Sequence, residues 1–208
     1  MNQILTARAN DPTLDIDTLN GMFRFRYKVF YEHLQWDVAN ANGMERDAFD
    51  DLNPVYILAR NHSKEVEGFW RLLPTTGPYM LKDTFPQLLC GSSAPRDPAI
   101  WELSRFAVMP STSDERAQVV MNTLAFAMIR SAFDFAEQHG IERYVTVTSV
   151  ALERLLKRTG LPIYRFGDQT PQRIGKVLTV ACYVDINNHT REVVYNNYNE
   201  ANASPIAA

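Results

Sequence analysis

The chain has 208 residues, 46% hydrophobic, 22% charged and 11% aromatic, enough apolar material for one compact domain with a substantial core. Its net charge of −3 argues against a general nucleic-acid binder, which carries a basic excess over the whole domain, but leaves room for a local basic patch. Two cysteines, Cys90 and Cys182, lie far apart and outside any C-x-x-C arrangement, so neither a disulfide framework nor a thiolate metal site is expected.

The start, MNQILTARANDPTLDID, lacks a basic-then-apolar signal pattern, and no apolar run approaches the roughly 20 residues of a membrane span. The expectation is a cytoplasmic protein with no membrane partner. Positions 13 to 34 place Leu19, Met22, Phe23, Arg26, Tyr27 and Phe30 at helical spacing, an apolar stripe with one arginine set into it. A polar loop rich in Asn, Asp and Gly follows, QWDVANANGMERDAFDDLNP, long for a compact domain. VYILAR (55 to 60) and VEGFWRLL (66 to 73) flank NHSKE as an antiparallel hairpin, with Arg71 on the face of Phe69 and Leu73. A short helix is predicted over KDTFPQLL, then a strand, IWELSRFAVMP (100 to 110). The stretch SDERAQVVMNTLAFAMIRSAFDFAEQHG reads as a long helix with an acidic first turn and Gly140 as its stop. Thereafter strand 142 to 150, helix 151 to 160, strands LPIYRFG and KVLTVACYVDI, and a helix around TREVVYNNYNE alternate. The pattern predicts a single-domain α/β sandwich with a mixed sheet over 1–208, with a frayed tail at 201–208.

The strand at 100 to 108 poses the functional question. Glu102 and Arg105 sit among Ile100, Trp101, Leu103, Phe106 and Val108, and unpaired burial of either charge costs roughly several kcal/mol. Arg26, Arg71 and Arg105 balance Asp47, Asp50 and Glu102, three cations against three anions, so the six are expected to form one network. Residues three apart on a regular strand face opposite ways, so Glu102 and Arg105 share that network only across a β-bulge or twist. Ion pairs tying the loop to the sheet explain the pattern as well as a functional site does. Other chemistries find no motif. His33, His62, His139 and His189 stand singly, Ser104 lacks a G-x-S-x-G setting, and no glycine-rich phosphate loop occurs.

The residues nevertheless stand in a recognisable order: R-Y-K-V-F (26 to 30), W (36), E-R-D-A-F-D (45 to 50), R-L-L-P-T-T-G-P-Y-M-L (71 to 81), F-P-Q-L-L (85 to 89) and W-E-L-S-R-F-A-V (101 to 108). This order resembles the acyl-homoserine lactone synthase family, the LuxI-type autoinducer synthases of bacterial quorum sensing, and the resemblance continues more loosely through V-T-V-T-S and R-F-G. It implies an α/β/α sandwich like the GCN5-type N-acetyltransferase fold. It also implies an acyltransferase that takes S-adenosylmethionine as a substrate, with no resident cofactor or metal, and an acylated acyl carrier protein as donor. PSTSDERAQ stands where acetyltransferases carry the R-x-x-G-x-G/A loop that grips coenzyme A, which favours the carrier protein.

By the same resemblance Glu102, Asp47, Asp50, Arg71 and Arg105 form the catalytic set, with Glu102 as the base that deprotonates the attacking amine. Arg26, Phe30 and Trp36 are assigned to S-adenosylmethionine. Asp47 and Asp50 suit its cationic groups, an arginine among Arg26, Arg71 and Arg105 its carboxylate, and the two aromatics its adenine and sulfonium. Ser104, Phe106, Thr146 and Thr148 are assigned to the acyl chain, the threonine hydroxyls favouring a 3-oxoacyl product. Arg154, Lys157 and Arg158 fall on one helix face, with Arg165 and Lys176 on following segments, a basic patch for an acidic carrier protein. An acyltransferase using acyl-coenzyme A and another amine, or a non-catalytic acyl-binding module, would carry the same fold.

Overall fold

The computed structural model describes residues 2–110 and 117–203. The acidic first turn expected for the long helix and the end of the tail, 204–208, lie outside the described residues. The fold is mixed α/β, and the chain divides into two compact units: residues 1–71, 105–132 and 198–208, and residues 72–104 and 133–197. Two strands and two helices run from one unit into the other.

In the first unit the chain opens with a strand that sequence reading did not anticipate, β1 (Gln3–Arg8), antiparallel to β4 (Val55–Arg60). Its alternation is weak because no residue of QILTAR is buried at the sheet edge: three are exposed and three half-buried. Asp15 caps α1 (Ile16–Arg26) by accepting the Thr18 N–H at 2.7 Å. The single helix expected over 13 to 34 changes character at Tyr27, where a π-helix runs over Tyr27–His33. Met22, Phe25, Val29 and Phe30 of these helices pack with Tyr56, Leu58 and Phe69 to form the core. The polar loop holds a two-residue hairpin, β2 (Asn40–Ala41) and β3 (Met44–Glu45), and a 3₁₀ turn, Ala48–Leu52. A turn with Lys64 at φ +64° joins β4 to β5 (Val66–Pro74), and the strand order of this unit is β1-β4-β5-β6.

In the second unit α2 (Met80–Asp83) and a 3₁₀ turn (Pro86–Leu89) replace the one short helix expected. β6 (Ile100–Val108) enters beside β7 (Arg143–Ser149) in parallel, Ile100 opposite Arg143 and Leu103 opposite Thr146. Ser149 caps α4 (Val150–Arg158), whose Val150 and Leu156 cover Ile163, Val180 and Cys182. β8 (Ile163–Arg165), β9 (Gln172–Ile174) and β10 (Val177–Asp185) complete an order β6-β7-β10-β8, with β9 on β10. Gly167, at φ +53°, lies where a Cβ would fall 1.9 Å from the Cys90 carbonyl oxygen, so no side chain fits there.

The long helix α3 (Ala117–His139) and the last helix α5 (Asn188–Ala203) cross the unit boundary. Over Gln118–His139 α3 is long and apolar enough, by length and composition, to cross a bilayer, which the sequence reading did not expect because Arg130 and Asp134 interrupt the run. It buries Leu124, Met128, Ala132, Phe133, Phe135 and Ala136, about a third of the apolar window. Met128 packs so closely on β5 that a Cβ at Gly68 would meet its sulfur at 2.5 Å.

Candidate functional site

Six ionised side chains converge in the first unit. Arg26, at the end of α1, donates from Nε to Glu45 Oε2 at 2.5 Å and from Nη1 to Asp50 Oδ1 at 2.7 Å. Arg71 on β5 grips Asp47 with both terminal nitrogens, at 2.5 and 3.1 Å, and reaches Asp50 Oδ1 at 3.1 Å. Arg105 Nη2 lies 3.1 Å from both Asp47 Oδ2 and Glu45 Oε1. The 3₁₀ turn holds the carboxylates in place: Asp47 accepts the Phe49 N–H at 3.0 Å, and Asp50 Oδ2 accepts the Asp47 N–H at 2.9 Å, a reciprocal capping box. Tyr56 completes the shell of Asp50, its hydroxyl donating to Oδ1 at 2.9 Å.

Three guanidiniums thus meet three carboxylates. The third anion is Glu45, which lies in the quoted run E-R-D-A-F-D but was not singled out. The signal that could have found it is its place two residues before Asp47 in that run, since the hairpin that carries it shows only in the structure. Arg105 joins the cluster because its backbone turns left-handed, at φ +62°, inside an otherwise extended strand. A bulky residue at positive φ is uncommon, and here it redirects the side chain as a bulge would.

Solvent reaches this cluster at one place. The side chains of Arg26, Glu45, Asp50 and Arg71 are 0% exposed, whereas Arg105 is 10% and Asp47 14% exposed. Aromatic rings wall it: Arg26 lies 5.5 Å from the Phe23 ring and 4.9 Å from Phe69, Arg71 5.4 Å from Phe49, and Arg105 5.4 Å from Phe30. Phe30 in turn stacks on the exposed Trp36, centroids 5.2 Å apart and planes 17° apart. Phe30 and Trp36 therefore share one stack with Arg105.

The electrostatics follow from burial and balance. Burial opposes ionisation of Asp50, yet Arg26 and Arg71 outweigh it and hold its carboxyl well below the usual carboxylate range. Burial would likewise lower Arg26, but Asp50 and Glu45 raise it above its ordinary value. Arg105 goes the other way, since burial, with the like charges of Arg71 and Arg26, exceeds the pull of Glu45 and Asp47 and lowers it. Burial, then the Asp50 carboxylate, pushes the Tyr56 phenol up. Two buried donors, Arg26 Nη2 and Arg105 Nε, make no hydrogen bond among the described residues. Buried ions each carry an effective desolvation penalty of roughly several kcal/mol, so a cluster of this kind is weak evidence for stability and stronger evidence for a site.

Glu102 belongs to the second unit. It is fully buried, and its two oxygens accept the Met80 and Leu81 N–H groups, at 2.9 and 2.6 Å, at the start of α2. Burial, then Glu102 and Asp83, push the neighbouring Tyr79 phenol up to about 12. Ser104 is buried on β6. Thr146 donates its hydroxyl to the Leu103 carbonyl at 2.8 Å, across the β6–β7 pair, while Thr148, on the same face of β7, is half-buried opposite Val180. Phe106, in the first unit, meets Trp70 edge-on at 4.8 Å, and the Trp70 indole N–H is buried with no partner among the described residues. Trp70 was not singled out by sequence, although it directly precedes Arg71 and so points to the opposite face of β5.

The basic residues of the second unit divide. Arg154 and Arg158 are exposed on α4, and Lys176 is exposed at the β9–β10 turn. Lys157 and Arg165 are engaged by Glu153, a 1% exposed carboxylate that sequence reading passed over: Lys157 at 2.8 Å, Arg165 at 2.8 and 2.6 Å through two nitrogens. The Arg165 pair, with burial opposing it and Lys157 adding to it, holds Glu153 below the ordinary carboxylate range. Among the described residues no group of three or more His, Cys, Asp or Glu is placed to hold a metal ion.

Known proteins resemble this chain over most of its length. Residues 13–194 match the family model described as autoinducer synthase. An acyl-homoserine-lactone synthase of Aliivibrio fischeri (strain ES114) is 42% identical over 176 residues, 85% of this chain and 90% of that enzyme. The crystal structure of the AHL synthase LasI superposes with a TM-score of 0.84 at 36% identity, over 94% of this chain and 95% of that one. A CoA-dependent acyl-homoserine lactone synthase, BjaI, solved with SAM and isopentyl-CoA, gives a TM-score of 0.83 at 27% identity, over 100% of this chain and 93% of that one. At the level of fold alone, an acyl-CoA N-acyltransferase from Pseudomonas aeruginosa shares the architecture, with a TM-score of 0.57 at 11% identity over 88% of this chain and 99% of that one. The chain belongs to the autoinducer synthase family, and it is an acyltransferase, an acyl-homoserine-lactone synthase.

Proposed function

We propose that the enzyme joins the amine of S-adenosylmethionine to an acyl group presented as a thioester on acyl carrier protein, then closes the lactone. In the first step the amine nitrogen attacks the thioester carbonyl, the N–C bond forms, and the carrier thiol leaves. Glu102 accepts the amine proton, directly or through water. In the second step the substrate carboxylate attacks its own Cγ, the C–S bond breaks, and methylthioadenosine departs. A folded-back conformer serves this step better than an acid. S-adenosylmethionine is consumed, and neither step calls for a resident cofactor or a metal.

The observation that carries this reading is the partial opening of the charge cluster at Asp47 and Arg105. A carboxylate and a guanidinium side by side, backed by the Phe30–Trp36 stack, suit a zwitterionic, sulfonium-bearing amino acid. Arg105, the guanidinium of the cluster that solvent reaches, suits a substrate carboxylate, while Arg26, 0% exposed, pairs with Asp47 at 3.8 Å and acts through it. Two free cysteine thiols accord with a reducing, cytoplasmic setting. For the donor, the exposed Arg154, Arg158 and Lys176 suit an acidic carrier protein, with Lys157 and Arg165 contributing less freely because Glu153 holds them. Acyl-coenzyme A is the second reading, favoured by the likeness to BjaI. For the acyl chain, Ser104 and Phe106 remain assigned as lining. Thr148 is the better candidate to recognise a 3-oxo group, since the Thr146 hydroxyl proton is given to Leu103.

Comparing kcat/KM for one acyl group on carrier protein and on coenzyme A, with methylthioadenosine release as the readout, tests the donor. A preference for coenzyme A overturns that part. Glu102→Gln should lower kcat by about 10²- to 10⁴-fold per folded enzyme, with some loss of stability because its amide NH2 faces the Met80 or Leu81 N–H, and near-normal turnover would remove Glu102 from the chemistry.

A further inference from the structure

We propose that Tyr56 is a positioning residue for S-adenosylmethionine binding: acting through Asp50, it sets the carboxylate of Asp47 that meets the substrate's cationic groups. The inference rests on the reading of Asp47 just given. Tyr56 stands on β4, 1% exposed, its ring tilted 49° against Phe69 at 5.4 Å, so the phenol has one direction in which to donate. That direction is Asp50 Oδ1. The same oxygen receives Arg26 Nη1 from α1 and Arg71 Nη1 from β5, while the other oxygen accepts the Asp47 N–H. Asp50 is therefore held by donors from four parts of the first unit, and Tyr56 supplies the sole uncharged side-chain hydroxyl among them.

Its geometric consequence falls on Asp47. The Asp47 backbone is the N-cap of the 3₁₀ turn, at φ −122° and ψ 171°, and the Asp50 carboxylate bonds its N–H from within that turn. A rotation of the Asp50 carboxylate about its Cβ–Cγ bond moves the acceptor for that N–H and tilts the only carboxylate of the cluster that solvent reaches. The two guanidiniums on that oxygen are themselves held by Glu45 and Asp47, so they tie Asp50 to the other ions of the cluster. The phenol of Tyr56, on a rigid ring packed against Phe69, holds the same oxygen from outside the set of charges.

Tyr56→Phe removes one oxygen and leaves all six charges paired as they were. It should raise KM for S-adenosylmethionine by about fivefold to twentyfold, the loss of part of a hydrogen bond to a charged group. The KM for the acyl donor should stay within about twofold, and kcat should fall less than KM rises. A merely structural role would instead lower the melting temperature and the active fraction and leave both KM values alone, or move both together, and either result overturns the proposal. Asp47→Asn, assayed beside it, separates the two levels of inference. If Asp47→Asn leaves KM for S-adenosylmethionine unchanged, the reading of Asp47 fails and the proposal with it. If Asp47→Asn raises that KM and Tyr56→Phe does not, only the role of Tyr56 fails. Should Tyr56→Phe not fold, p-aminophenylalanine and p-methylphenylalanine at position 56 fill the space with and without a donor. A KM for S-adenosylmethionine raised only with the methyl group supports the proposal, and equal values overturn it.

Discussion

Each unit buries ionised side chains, and it does so for different ends. In the second unit Glu153 is held by Lys157 and Arg165, whose side chains are 48% and 20% exposed. One hidden carboxylate is there neutralised by two cations that keep their heads near water, an inexpensive brace between α4 and β8. In the first unit six ions are withdrawn together, four of them fully, and the balance of charge is met inside the protein. Apolar side chains of like volume are often neutral or stabilising in place of such a cluster. On the function proposed above, a fold that keeps this cluster and opens it at Asp47 and Arg105 is arranged around a substrate rather than around its own stability.

The sharpest way to break this contrast is to remove one cation from each cluster. Arg26→Leu leaves three carboxylates against two guanidiniums and takes from Glu45 and Asp50 one partner each, so it should cost about 3–5 kcal/mol, lowering the melting temperature of a chain this size by roughly 10 °C. Arg165→Leu leaves Glu153 its bond to Lys157, a cation that is 48% exposed, and about 1–2 kcal/mol is expected after allowing for screening. Equal losses in thermal unfolding would show that the two clusters do the same job.

pH separates them next. The folded Asp50 carboxyl lies below its ordinary value, so it contributes stability that is fully present above the unfolded pKa of about 3.9. That contribution is lost as pH falls from there toward the folded value. Glu153 is shifted in the same direction. Melting temperatures between pH 7 and pH 3 should therefore fall at the acid end, and Asp50→Asn should flatten the fall more than Glu153→Gln does. An unchanged slope in Asp50→Asn would mean that the cluster does not depend on that charge.

Much of this was legible beforehand. The strands at 55, 66, 100, 142 and 176 and the long helix were readable because apolar periodicity reports burial directly. The charges were readable because a charge amid apolar neighbours must be compensated. What failed was partnership. The three-to-three balance drawn from Arg26, Asp47, Asp50, Arg71, Glu102 and Arg105 omitted Glu45, which lies on a two-residue hairpin with no periodicity to expose it. Likewise Lys157 looked free from its helical spacing, and only tertiary structure brings Arg165 to the Glu153 one turn before it. Arg105 shows the opposite case. The face argument required a bulge or twist at that strand, and the left-handed Arg105 supplies one. The π-helix at Tyr27–His33 left no mark that spacing could read, since its apolar stripe matches a 3.6-residue period until the turn widens.

The smallest effect on stability is expected where the second unit carries charge without burying it. Arg154 and Arg158 are exposed on α4, and reversing both to Glu should change the unfolding free energy by no more than about 0.5 kcal/mol each. Their effect should appear in association instead. The chain's net charge is −3, so attraction of an acidic carrier protein has to come from a local patch, and surface charges act over a screening length of about 8 Å at physiological salt. The double reversal should raise KM for the acylated carrier, most at low ionic strength, and leave KM for S-adenosylmethionine unchanged. Added salt should weaken the unaltered enzyme's affinity for the carrier steeply and the variant's only slightly, because the variant has lost the interaction that salt screens. If both KM values move together, or the salt dependence survives the reversal, the carrier docks elsewhere, and the exposed face of α4 is a solvated surface beside the Glu153 brace.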